Sequence, residues 1–154
     1  MPEAMSASVI ERRRDAATAR RRWRWGLTAA TVVAVYPLAL LGYVYGHSLT
    51  SGLPGARHGP QDAYRHTLAS AVLAYTISPT AVDWVTGVME FADEPSSAMD
   101  RHNNAIGASI GAAATSFVQI RPQVEQRVAA GRVDARNPQQ VTWLPPRQWR
   151  SLPF

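Results

Sequence analysis

The chain has 154 residues, enough for one compact domain with some chain left over at its ends. It has no Cys, which excludes disulfides, thiolate metal ligands and a cysteine nucleophile. The net charge of +5 is uneven: residues 1–24 carry seven Arg against Glu3, Glu11 and Asp15, whereas from His47 onward nine Arg face eight acids. The basic character therefore belongs to a tail. Such a tail suits nucleic acid or anionic lipid.

The uncharged stretch after the tail favours lipid, and nucleic acid is not expected as a partner. Residues 1–25 read as a basic cytoplasmic tail, and 26–46 as a transmembrane helix. Gly26 to Tyr45 carries no charge, and twenty helical residues reach roughly 30 Å, the thickness of a bilayer core. Trp23 and Trp25 on one side, and Tyr43 and Tyr45 on the other, suit its two interfaces. Pro37 would kink the helix. A cleavable signal peptide would have a shorter apolar core and small residues at the cut site, so an uncleaved anchor is preferred. The positive-inside rule then puts the N-terminus in the cytoplasm of a bacterium and the rest beyond the plasma membrane.

Residues 47–59 read as a linker broken by Gly52, Pro54, Gly55 and Gly59. A helical domain is expected over 60–133. Pro60 opens its first helix, which runs to about Ile77 with Tyr64, Leu68, Ala71, Val72 and Tyr75 on one apolar stripe. Ser78-Pro79 ends that helix. A second helix runs from about Thr80 to Phe91, with Val82, Val85, Val88 and Met89 as core contacts. A third runs from Ser97 or Ala98 to about Ile120 and is rich in Gly and Ala. Its uncharged stretch is short of the ~20 residues needed to span a bilayer, so it is read as a buried helix that lets the first approach closely. Pro122 to Val133 forms a short amphipathic helix, and 134–154 is an extended tail rich in Pro and Trp. The expected fold class is thus all-α: one N-terminal transmembrane helix plus a small three- to four-helix extracytoplasmic domain.

Two polar clusters stand out in this small, apolar region. In Asp62-Ala63-Tyr64-Arg65-His66, Asp62 and His66 are four residues apart and share a helix face. There the carboxylate can fix the imidazole tautomer for a metal or a proton transfer, and Arg65 can contact an anion. In Met99-Asp100-Arg101-His102-Asn103-Asn104, helical spacing aligns Asp100, Asn103, Asn104, Gly107 and Gly111 on one stripe. His102 joins Asp100 only if Asp100 lies in a non-helical first turn. With the first and third helices parallel, both clusters reach the same end, and His66, Asp100, His102 and Asn104 share a cleft.

Glu90 ends the second helix. His66, Glu90, Asp100 and His102 form the His/carboxylate set that zinc or another divalent metal uses. Asp62 supports this set or adds a further ligand. Two functional classes stay open. One is an envelope interaction module, in which a buried His/Asp/Asn network fixes helix register and the partners are membrane lipid and an envelope protein or cell-wall component. The other is an envelope hydrolase, metal-dependent or acid–base: His66, His102 and Asp100 activate water while Arg65 or Asn104 steadies the developing anion.

The run from Gly59 through Asp62, Arg65 and His66, then Glu90, then Met99-Asp100-Arg101-His102-Asn103-Asn104 to Gly107 resembles an uncharacterised bacterial domain family. That family has a Gly-x-x-Asp-Ala-x-Arg-His helix, a His-Glu pair and a Met-Asp-x-His-Asn-Asn-x-x-Gly helix. The match covers 59–107, with Met89-Glu90 standing where relatives have His-Glu. The resemblance implies a shared site and names no reaction.

Overall fold

The computed structural model describes residues 3–89, 95–135 and 137–151. The chain divides into two compact units, Met1–Ala39 and Leu40–Phe154. Helix α1 (Glu3–Thr50) runs through both, with Pro37 inside it.

The expected transmembrane helix over 26–46 is corrected here. Among the described residues, no helix is long and apolar enough to cross a membrane. Gly26–Tyr45 is uncharged, but the lack of charge alone does not make a span. Its last turns also serve the second unit, where Val44 is a buried core residue and Leu40 and Tyr43 pack against that core. The positive-inside argument presupposed a span, so it carries no orientation here.

In the second unit the end of α1 is followed by α2 (Pro60–Thr76), α3 (Pro79–Met89), α4 (Pro95–Ala113) and α5 (Ile120–Ala129). The linker expected over 47–59 is shorter than that, because α1 continues to Thr50. Gly55 has a positive φ of 74°, and a Cβ on Gly59 would lie 2.6 Å from the Gly55 Cα. Only glycine tolerates both conditions. Gly59 caps α2 in an extended conformation and Pro60 supplies its first turn.

Helix α4 ends at Ala113, not near Ile120. The Thr115 amide and hydroxyl both donate to Gln119 Oε1, at 3.3 and 3.1 Å. This local bonding offers the backbone an alternative to the helical ladder. A single 3₁₀ turn, Phe117–Gln119, then leads into α5.

The core joins Tyr64, Leu68, Ala71 and Val72 of α2 to Ile106 and Ile110 of α4, and to Ile120, Val124 and Val128 of α5. Tyr75, expected on the same stripe, is 37% exposed. Helices α2 and α4 run parallel, since Asp100 faces His66 and Gly111 meets Ala71 and Ala74. A Cβ on Gly107 would lie 2.8 Å from Ser70 Cβ and closer still to the Thr67 carbonyl oxygen. The missing side chains set the approach of the two helices.

The C-terminal segment is more ordered than an extended tail. Strand β1 (Arg132–Val133) pairs in parallel with β2 (Thr142–Trp143), in the register Arg132 with Thr142. Asn103, fully buried, clamps β2 from both sides of one residue. Its Nδ2 donates to the Thr142 carbonyl at 2.8 Å, and its Oδ1 accepts from the Thr142 amide at 3.0 Å. Beyond β2, the Leu144 amide donates to the His58 carbonyl and Arg57 pairs with Arg150. Trp149 Nε1 donates to the Leu144 carbonyl.

Candidate metal centre

The turn before α2 and the first turn of α2 build one side of the site together. Asp62 is buried, and its Oδ2 accepts from the His58 amide at 2.6 Å. His58 has a positive φ of 63°, a costly conformation for this residue, which that bond helps to hold. Asp62 Oδ1 accepts from the Arg65 guanidinium, which also donates to the Ala56 carbonyl. Arg65 lies over the Tyr45 ring, 5.4 Å from its centroid. Buried Arg65 is thus fixed, and it neutralises one carboxylate.

One turn further on, His66 Nε2 stands 3.7 Å from Asp62 Oδ1 and 3.4 Å from Asp100 Oδ1, which α4 delivers. One donor atom from each of the three residues falls in a set lying within 4.8 Å of one another. These separations exceed ordinary hydrogen bonds. The two His66–carboxylate separations, 3.7 and 3.4 Å, are close to the ~3.4 Å between ligands set ~2.0–2.2 Å from one tetrahedral ion. The His66 and Asp100 side chains are 33% and 19% exposed, so the centre is open to a ligand from outside. The bonds to Asp62 from the His58 amide and Arg65 are the kind that orient a metal-binding carboxylate.

Of the other residues expected here, Asn104 is buried one turn along α4 from Asp100, and its Oδ1 accepts from Ser70 Oγ at 2.9 Å. His102 is directed elsewhere. Its Nε2 donates to the Gln140 carbonyl at 2.8 Å, so it ties down the C-terminal segment. Asp100 sits well inside α4, and helical geometry sends a residue two positions on to another face. Glu90 lies outside the described residues.

The cluster opens onto a cleft of ≈ 370 Å³, lined by α1, α2, α3 and α4. His66, Arg65, Asp100 and Asn104 line it together with Ser70 and Tyr45. Its apolar walls are Leu40, Leu41 and Val44, with Leu73, Val82 and Val85. Sequence reasoning does not place Ser70, Tyr45 or the walls from α1 at the site, and it gives Val82 and Val85 only as core contacts. A signal for Ser70 exists, since it is four residues after His66 on the same helix face. The walls contributed by α1 carry no such signal, because an uncharged stretch reads equally as a membrane span. No family model, no curated protein and no solved structure matches the chain.

Proposed function

We propose that the second unit is a divalent-metal-dependent hydrolase, with the ion held by Asp62, His66 and Asp100. The observation that carries this reading is the spacing of their three donor atoms at the mouth of a largely apolar cleft. Two carboxylates and one imidazole suit zinc or a similar divalent cation, and three protein ligands leave a position for water. When bound, such an ion supplies a nucleophilic water at neutral pH and polarises a carbonyl. The protein's own contribution is orientation: Arg65 and the His58 amide hold Asp62, and Ser70 holds Asn104 at the cleft wall.

The alternative is a non-catalytic network that fixes helix register. Asn103 has a role of that kind, but it acts away from the His66 cluster.

Zinc analysis of the purified full chain tests the proposal. About one ion per chain is expected. His66→Ala and Asp100→Asn should each weaken binding at least a hundredfold with helicity retained, and Arg65→Gln about 10–100-fold, as expected for a group that orients a ligand. A folded wild-type chain that takes up no stoichiometric zinc, manganese or other divalent cation would overturn it.

A further inference from the structure

The cleft carries more information than the cluster at its mouth. Its polar groups are concentrated where α2 and α4 begin: Arg65, His66 and Asp100, with Ser70 and Asn104 one turn on. The parallel packing of these helices makes Leu73 the more distant wall. Along α1, Tyr45 lies beside Arg65, so Leu41, one turn earlier, is further from the polar end. Val82 and Val85 of α3 complete an apolar wall. A cleft of ≈ 370 Å³ is in the lower part of the range for small-molecule sites, roughly 300–1,000 Å³. It holds about a dozen groups the size of a water or methylene, at ~30 Å³ each.

Charge selects the head of the occupant. Arg65 is paired with Asp62, and the Asp100 carboxylate lies beside His66. With a divalent ion bound, the balance at this end turns positive and suits a carboxylate or a polarised ester carbonyl. An aliphatic chain with such a head satisfies both ends of the cleft. A compact polar substrate would leave the Leu and Val walls without a partner.

We propose that this cleft takes one acyl chain of about a dozen carbons, as the free carboxylate or its ester, with the carboxyl carbon against the Asp62–His66–Asp100 cluster. The placement of the head rests on the metal reading above, whereas the fit of the chain does not. For an ester, the oxygen of water bonds to the acyl carbon and the acyl C–O bond breaks. One proton of that water passes to the departing alkoxide, so the products are a carboxylic acid and an alcohol.

Calorimetric titration of the full chain, with and without zinc, by carboxylates from hexanoate to tetradecanoate below their micelle concentrations tests this. Affinity should rise about fourfold per methylene and level off near dodecanoate. Dodecylammonium should bind the zinc-loaded chain at least tenfold more weakly than dodecanoate. Leu41→Trp and Val85→Trp fill the cleft from positions that are 52% and 41% exposed, where a larger ring need not disturb the core. Each should lower dodecanoate affinity at least tenfold.

A flat chain-length series, or affinity unmoved by both tryptophans, overturns the proposal. Zinc binding with a flat series removes the acyl ligand and leaves the metal centre intact. A normal series in a chain that binds no zinc keeps the acyl cleft and removes the metal. Release of dodecanoate from 1-dodecanoylglycerol assigns the ester as substrate. Binding of dodecanoate without cleavage of the ester assigns the free acid as ligand. Either result supports the cleft.

Discussion

Tyr64 shows how one buried side chain makes the fold pH-dependent. It is 1% exposed in the core of α2, and burial, followed by the negative charge of Glu125, raises its pKa from 10.0 to about 12. The neutral phenol is favoured in the folded state, so between pH 10 and about 12 the unfolded chain loses this proton first. Stability is therefore full below pH 10 and falls as pH rises through this window, by roughly 3 kcal/mol at ~1.4 kcal/mol for each tenfold. Tyr64→Phe should remove most of that alkaline loss in urea titrations at pH 9 and 12. An unchanged difference between the two pH values would show that other groups carry it. At this same scale the candidate site is only partly legible in the sequence. The Asp62–His66 pair follows from a four-residue spacing, and Asp100 from its place beside the Asn pair. The roles of His102 and Asn103 do not, because their partners are backbone groups of Gln140 and Thr142, which no side-chain motif announces. Asn103 and Asn104 are sequence neighbours with different duties: one holds the C-terminal strand and the other faces Ser70.

Helices α2 and α4 meet through Gly107 and Gly111, and that contact sets the separation of His66 from Asp100. Small residues at helical spacing are visible in the sequence, and so is the parallel arrangement they permit. The break at Ala113 is not, because Thr115 and Gln119 make it through a side-chain bond that leaves no hydrophobic period. Gly107→Ala gains about 1 kcal/mol of helix propensity. Against this, the new methyl meets the Thr67 carbonyl and Ser70 Cβ, and backbone cannot yield as a side-chain tip can. Overpacking costs about 1–3 kcal/mol, and a clash with backbone falls in the upper part of that range, about 2–3 kcal/mol. Net destabilisation of about 1–2 kcal/mol is expected, read as a melting temperature lower by about 2–8 °C. Zinc affinity should fall with it, since a spread helix pair draws Asp100 away from His66. A variant as stable as the parent would mean that the helices slide apart without loss, and that their glycines do not set the site.

At the scale of the whole molecule, the boundary between Ala39 and Leu40 matters more than the length of α1 suggests. An uncharged stretch can serve a bilayer or a protein core, and charge counting cannot separate the two. Val44 and Ser48 settle its last turns: both are buried in the second unit, and the Ser48 carbonyl accepts from Gln61 Nε2 at 3.0 Å. The core residues of that unit begin at Val44, and the cleft walls begin at Leu40. A chain starting at Leu40 therefore keeps every core residue and all three proposed ligands. It should unfold cooperatively, with a melting temperature within a few degrees of the full chain and the same zinc stoichiometry. The opposite end behaves differently, because one buried side chain of α4 clamps β2 at Thr142. Asn103→Ala breaks two bonds and strands the Thr142 amide and carbonyl, each costing about 1–3 kcal/mol when buried without a partner. Loss of about 2–5 kcal/mol is expected on urea unfolding, together with faster hydrogen exchange at Thr142. The shortened chain and the Asn103 variant make one comparison. If removing residues 1–39 is the more damaging change, the division of the chain at Leu40 is not a folding boundary, and α1 supports the second unit from further upstream.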